Sequence, residues 1–291
     1  MFEHFPIRGH LVHLDAAWRA LTEHADYPAT IRDTLGEAVA ASLLLAATIK
    51  FEGVLSLQLQ GDGPVHLMLV QCTSGLGVRG LARYREGELK EASIAKLIGA
   101  GNLTVTLETD DSSQRYQGIV PITGQRLADS LQVYFENSEQ LPTRLWLHAD
   151  AQGACGMLLQ KLPGAGDSPG RGVVDVAAVD DAWRRVQLIA ETLTAEEMRT
   201  LTDAEILHRL FNEDDVRLFE PAPVYFRCRC SRERVGGMLQ GLGETETRSI
   251  LAERGEVEVR CDFCNRAYVF DAVDVAQLFN ADVANESGSL H

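Results

Sequence analysis

Cys228-Arg229-Cys230 and Cys261-Asp262-Phe263-Cys264 hold four of the six cysteines of the chain, separated by the thirty residues from Ser231 to Arg260. Each pair is tight enough for both sulfurs to reach one point, and the intervening segment is long enough to fold back and unite them. Four thiolates in a tetrahedron are what a closed structural zinc site takes, so the pattern predicts one zinc held by Cys228, Cys230, Cys261 and Cys264. Lone core cysteines behave as small hydrophobes and do not usually fall in close pairs, which disfavours simple packing. The first pair is Cys-x-Cys, unlike the two Cys-x-x-Cys pairs of a plain zinc ribbon. Arg227, Arg229, Arg232 and Arg234 surround it, while Arg260 and Arg266 flank the second. Nearby cations favour the nucleophilic, oxidisable thiolate. Asn265 follows the last cysteine, where a metal-binding turn often wants a left-handed residue, and Asn tolerates that conformation better than most.

The run Cys228-Arg229-Cys230-Ser231-Arg232-Glu233-Arg234, taken with Cys261-Asp262-Phe263-Cys264, resembles the zinc switch of the bacterial redox-regulated heat-shock holdase family, the thirty-three-kilodalton chaperonins. Further family-like stretches follow in the same order. They are Gln60-Gly61-Asp62-Gly63-Pro64, Arg115-Tyr116-Gln117-Gly118, Ser138 to Arg144, Gly156 to Gln160 and Asp215 to Pro221. The resemblance covers essentially the whole chain.

A chain of 291 residues buries a substantial core and is expected to form more than one domain. Its 45% hydrophobic and 24% charged residues are ordinary for a soluble globular protein. A net charge of -15 argues against a nucleic-acid partner bound through its phosphates. Acids outnumber bases 19 to 14 over residues 1–174, 12 to 6 over 175–227 and 11 to 7 over 228–291. Even the arginine-flanked cysteine region is therefore net acidic. The opening Met1-Phe2-Glu3-His4-Phe5-Pro6 lacks a basic region followed by an apolar core, so no secretion signal is read. The longest apolar stretch, Ala38 to Ile49, contains Ser42 and Thr48 and falls short of the roughly 20 residues that span a bilayer. No membrane partner is expected. A cytoplasmic location is, and there thiols stay reduced and paired cysteines read as metal ligands or redox sensors.

The first part of the chain reads as α+β. His10 to Leu14 alternates as a strand, and Asp15 is placed to cap a helix carrying Trp18 and Leu21. A second helix is expected from Pro28 or Ala29 to about Thr48. It is apolar on nearly all sides beyond Val39 and should be buried and central. Strands Val54–Gln60 and Val65–Gln71 flank the turn Gly61-Asp62-Gly63-Pro64, and Gly77–Tyr84 is a third. Leu103–Glu108 and Tyr116–Val120 form another hairpin across Asp110 to Ser113, before a helix Arg126–Asn137 and strands Arg144–His148 and Met157–Lys161. Successive hairpins imply antiparallel sheet with segregated helices. Gly75-Leu76-Gly77-Val78-Arg79-Gly80 matches a dinucleotide-binding pattern, but a strand-like stretch follows where a helix should open, so turn glycines are the reading. Cys72 and Cys155 read as small buried hydrophobes.

Pro163-Gly164-Ala165-Gly166-Asp167-Ser168-Pro169-Gly170 has linker composition and closes the first domain. Three regions are expected: an N-terminal α+β core over 1–174, a metastable helical linker over 175–227, and a small C-terminal four-cysteine redox-switch zinc domain over 228–291. In the linker, Thr194-x-x-Glu197 and Thr202-x-x-Glu205 are capping boxes. Short helices with one-sided stripes, Val186 with Ile189 and Leu207 with Leu210 and Phe211, need a surface to dock on. Twelve acids in 53 residues, three of them consecutive at Glu213-Asp214-Asp215, should weaken that docking by self-repulsion.

A domain of about fifty residues with few large apolar side chains usually needs a metal or disulfides. Oxidation would most easily join near neighbours, Cys228 to Cys230 and Cys261 to Cys264. Those bridges close tiny loops and restrain the unfolded chain far less than a shared metal does. The family resemblance implies the same cycle. The reduced, zinc-bound protein would be an inactive monomer. Oxidation and heat would form the two disulfides, release zinc, unfold switch and linker, and give a protein that dimerises and binds unfolding clients without ATP. Candidate client-binding positions are Ile189, Leu193, Leu207, Leu210 and Phe211. No catalytic residue is expected. Two other classes share the cysteine pattern: a binding module with a purely structural zinc, disfavoured on nucleic acid by the acidic balance, and a thiol oxidoreductase using Cys261-x-x-Cys264, which lacks a thioredoxin-like βαβ setting.

Overall fold

The computed structural model describes residues 1–23, 25–85, 87, 93–111, 115–163 and 176–286. Of the expected linker stretch Pro163 to Gly170, all but Pro163 lies outside these residues, as do Ser112 and Ser113 of the second hairpin turn. The chain divides into two compact units, residues 1–227 and 228–291.

The first unit opens with β1 (Ile7–Leu14), α1 (Ala16–Thr22) and α2 (Ala29–Thr48). There follow β2 (Gly53–Gly61), β3 (Val65–Thr73), β4 (Gly77–Tyr84), a short α3 (Ile94–Ile98), β5 (Gly101–Thr109) and β6 (Arg115–Pro121). Next come α4 (Leu127–Tyr134), a π-helical turn over Phe135–Glu139, β7 (Thr143–Ala149) and β8 (Ala154–Lys161). Helices α5 (Val176–Ala190), α6 (Ala195–Thr200) and α7 (Asp203–Phe211) and the two-residue β9 (Tyr225–Phe226) complete it. A six-stranded sheet has the order β6-β5-β2-β3-β4-β9 and a three-stranded sheet the order β1-β8-β7. All pairings among these strands are antiparallel except that of β9, which runs parallel to β4 through Gly77 with Tyr225 and Val78 with Phe226.

Helix α2 packs against strands of both sheets. Twelve of its twenty residues are buried, including the unbroken run Ala38 to Ala46, which is why its sequence has no polar face. Ser42 sits in that run with its hydroxyl donating to the Ala38 carbonyl at 2.7 Å. Gly36 lets the helix approach β7 closely, since a Cβ there would stand 2.4 Å from that of Ala149. The helix foreseen over Arg126–Asn137 is α4 followed by the π turn, where the backbone pattern widens at Phe135. The glycine-rich Gly75–Gly80 stretch is a turn leading into a strand, with Leu76 at φ 59°.

The three-stranded sheet is covered on both faces, and β8 is accordingly buried from Ala154 through Gln160. Alternation sorts its residues. Val12, Leu14, Leu145, Ala154 and Leu158 join the α2 core, while Ile7, Cys155, Met157 and Leu159 meet α5–α7 in a second cluster with Trp183, Val186, Ile206 and Phe211. Both predicted capping boxes form, with Thr194 and Glu197 at the start of α6 and Thr202 and Glu205 at the start of α7. The acids of this region are less isolated than their count suggests. Asp214 makes two hydrogen bonds with Arg185, Asp180 pairs with Lys161, Glu197 with Arg209, and Asp203 lies 3.8 Å from His13. Self-repulsion is thus partly offset by local cations. Each of these pairs has one partner drawn out of solvent and one that remains accessible, so screening by water limits its contribution. Apolar burial is what holds the helices to the sheet.

In the second unit, α8 (Arg232–Leu242) and α9 (Glu244–Arg254) precede the hairpin of β10 (Val257–Arg260) and β11 (Ala267–Phe270), and α10 (Ala272–Glu286) follows. Its core consists of Val235, Leu239, Val257, Tyr268, Phe270 and Val275. Among the described residues these six buried side chains make a small core for a folded unit. Among the described residues no helix is long and apolar enough to cross a membrane.

Cys72 on β3 and Cys155 on β8 are buried, at 0% and 2% exposure. Burial pushes the Cys72 thiol up to about 12. It does the same for Cys155, helped by the nearby carboxylate of Asp150. In the native reduced protein at pH 8, both thiols should react with an aromatic disulfide reagent about a hundredfold or more slowly than in denatured chain, because the thiolate is the reacting species. Labelling followed by peptide mapping checks this, and rapid modification of either residue would contradict its placement.

Candidate metal centre

The two cysteine pairs arrive at one point by different local routes. Cys228 and Cys230 stand just ahead of α8, whose N-cap Ser231 accepts the Arg234 backbone N–H at 3.3 Å. Capping fixes where the helix begins and so where the extended Cys-x-Cys segment must end. Cys261 and Cys264 occupy the turn between β10 and β11. That turn is closed by the Asn265 N–H donating to the Cys261 carbonyl at 2.7 Å and the Cys261 N–H donating to the Arg266 carbonyl at 3.0 Å. Asn265 takes the left-handed conformation expected of it, with φ 53°.

The four Sγ atoms lie within 4.8 Å of one another. Individual separations are 3.3 Å for Cys228–Cys230, 3.6 Å for Cys228–Cys261 and 3.4 Å for Cys230–Cys264. A tetrahedron with Zn–S bonds of roughly 2.3 Å has S···S edges of about 3.8 Å, so the sulfurs need only small adjustments to accept that ion. An all-sulfur donor set in a tetrahedral arrangement suits zinc rather than a hard oxygen-seeking cation. Among the described residues this is the one such group of potential ligands.

The environment of the sulfurs is uneven. Burial raises the pKa of Cys228 and Cys264, although each also accepts a backbone N–H, from Cys230 and Arg266 respectively. Burial works in the same direction on Cys230, but hydrogen bonds from the Tyr268 hydroxyl and the other thiols outweigh it and bring its pKa down to about 7. The arginines singled out in the sequence are largely engaged elsewhere. Arg232 pairs with Asp274 at 2.6 Å and lies 4.3 Å above the Phe270 ring, Arg260 pairs with Glu258 at 2.5 Å, and Arg234 donates to the Arg229 carbonyl at 2.8 Å. Arg266 reaches the Tyr268 hydroxyl and carries its charge near Cys230 and Cys264. Tyr268, which sequence analysis does not single out, is therefore a direct neighbour of the site. Its signal was a hydroxyl-bearing aromatic on a strand four residues after the last cysteine.

The five candidate client-binding residues belong to the first unit. Leu193, Leu210 and Phe211 are buried, and Ile189 and Leu207 are half-buried in the cluster between α5–α7 and the three-stranded sheet. None is offered to solvent as an open apolar patch in this conformation.

Comparison with known proteins agrees with this architecture. The sequence profile described as Hsp33 protein matches residues 1–271. A 33 kDa chaperonin of Methylobacillus flagellatus is 46% identical over 284 residues, covering 97% of this chain and 94% of that protein. The 33 kDa chaperonin of Nitrosococcus oceani is 48% identical over 283 residues, with 97% and 93% covered. The crystal structure of a 33 kDa chaperonin from Thermotoga maritima superposes with a TM-score of 0.81 at 24% identity, over 98% of this chain and 97% of that one. With the profile matched over nearly the whole length and relatives this similar end to end, the chain belongs to the Hsp33 family of chaperones.

Proposed function

We propose that this chain is an ATP-independent holdase whose activity is governed by the redox state of Cys228, Cys230, Cys261 and Cys264, without enzymatic turnover. The observation that carries the reading is the convergence of these four sulfurs beside a small core, with six buried apolar residues among those described. A bound zinc would supply the positive charge that lets four thiolates share this volume, worth about 10–16 kcal/mol of folding free energy in small zinc modules. In the reduced state the four cysteines hold the metal and the protein is an inactive monomer.

Under oxidative stress each pair gives up two electrons to an oxidant such as hydrogen peroxide, which is reduced to water as one disulfide forms. The sulfur separations do not by themselves select partners, since distances within and between the pairs are similar. Sequence proximity does: once the metal leaves, only near neighbours stay close in an unfolding chain. Bridges from Cys228 to Cys230 and from Cys261 to Cys264 therefore form, and their small loops restore little of the lost stability. The unit unfolds and α5–α7 follow. Their apolar stripes, at Ile189, Leu193, Leu207, Leu210 and Phe211, are then exposed together with Ile7, Met157 and Leu159 on the sheet beneath. Apolar surface of this kind binds unfolding polypeptides and favours homodimerisation. The net acidic chain supports a protein that acts on proteins rather than on nucleic acid, and we place it in the cytoplasm.

Four outcomes test the reading. Replacing Cys261 with Ser should reduce zinc affinity sharply in chelator competition, and unchanged affinity would remove the site. Zinc content and suppression of client aggregation, measured together before and after mild peroxide, should move in opposite directions. Hydrogen exchange on the oxidised protein should then be fast from about residue 178 to 280 and slow across residues 1–160. Protection throughout, in a protein that still suppresses aggregation, would refute the unfolding step. Truncation before Val176 should give a holdase indifferent to oxidants, and dependence on peroxide in that variant would place the switch elsewhere.

A further inference from the structure

Backbone N–H groups of Cys230 and Arg266 donate to the sulfurs of Cys228 and Cys264. Cys230 instead receives a side-chain hydroxyl: Tyr268 Oη stands 3.1 Å from its Sγ. A backbone donor comes with any residue in the turn, whereas this one depends on the identity of a single side chain. Tyr268 lies on β11 opposite Val259 of β10, and its ring is 8% exposed among Val235, Leu239, Val257, Phe270 and Val275. The core that fixes the ring thus leaves the hydroxyl only rotation about its own C–O bond. For packing alone phenylalanine would serve, as it does at Phe270 two residues on along the same strand. The packed ring ends in a hydroxyl whose polar partner is a metal-ligand sulfur. Arg266, which also meets the Tyr268 oxygen, turns the phenol proton toward that sulfur, because a guanidinium has donors and no acceptor.

We propose that Tyr268 is a positioning residue for the metal centre. Its hydroxyl fixes the orientation of Cys230, strengthens the site's hold on zinc, and occupies a sulfur lone pair that an oxidant would otherwise engage. Attack of a thiolate on hydrogen peroxide breaks the O–O bond, giving a sulfenic acid and hydroxide, and a lone pair already accepting a hydrogen bond is a poorer nucleophile for that step. Outer-sphere hydrogen bonds to metal ligands commonly change metal affinity by about 10–100-fold. Tyr268 would therefore set how readily the switch lets go. This role rests on the four-cysteine zinc reading above, but its test reads metal binding alone, so a failure of the holdase reading would leave the result standing.

The test uses full-length reduced protein with Tyr268→Phe, which keeps the ring and removes only the oxygen. Zinc affinity by chelator competition should fall about tenfold, and zinc release under peroxide should quicken. In the cobalt(II)-substituted protein the thiolate-to-metal charge-transfer band should move to lower energy, a change that a merely structural role for the ring would not produce. Unchanged affinity together with an unmoved band would overturn the proposal. Should the variant fail to fold, zinc-loaded wild type gives a second measurement. The Tyr268 hydroxyl proton should exchange slowly with water and show a nuclear Overhauser effect to the Cys230 β protons, and a proton in fast exchange would equally overturn it.

Discussion

Four negatively charged sulfurs do not share a space a few ångströms across unless a cation stands among them. Everything else in the second unit is arranged around that condition. The capped start of α8 and the left-handed turn at Asn265 hold the two pairs in reach of each other, and the small core beside them contributes too little apolar burial to make the arrangement self-sufficient. On the proposed reading, oxidation of these sulfurs removes the ligands of the cation, and a chemical signal acts on the folding equilibrium of the unit.

The linker helices obey a different constraint. Their apolar residues are core residues in the folded state, packed on the outer face of the three-stranded sheet, and the same residues are the candidate client-binding positions. The two roles belong to two states of one surface. Ordinary amphipathic helices are pinned by large buried areas. Here α6 and α7 are short, and with α5 they are anchored by one cluster plus half-buried ion pairs. The pairs offset part of the self-repulsion of an acidic segment where it docks.

Much of this was legible in the chain because the signals were local. The Gly61–Pro64 turn, the alternation of β2 and β3, the two capping boxes and the paired cysteines each declare themselves within a few residues. The all-apolar run of α2 predicted burial on every side, and two sheets enclose it. What local reading missed depends on distant partners. The strand β9 has only two residues and exists because β4 offers it an edge. The short α3 leaves too little periodicity to read. Tyr268 escapes a local reading because nothing in its neighbourhood says which way the hydroxyl points; only the folding of β11 against β10 brings it to Cys230. The flanking arginines misled for the converse reason, since Glu258 and Asp274 claim two of them once the chain is folded.

The position of α2 bears on whether such a switch is spent after one use. Because the helix is shared by both sheets, the core of the first unit is closed without any contribution from α5–α7 beyond the outer face of β8. In the proposed cycle, departure of these helices would leave a template with its docking face intact. Helices returning under reductant would then meet a surface that kept its shape, and a chaperone working in that way would be restored by chemistry rather than replaced by synthesis.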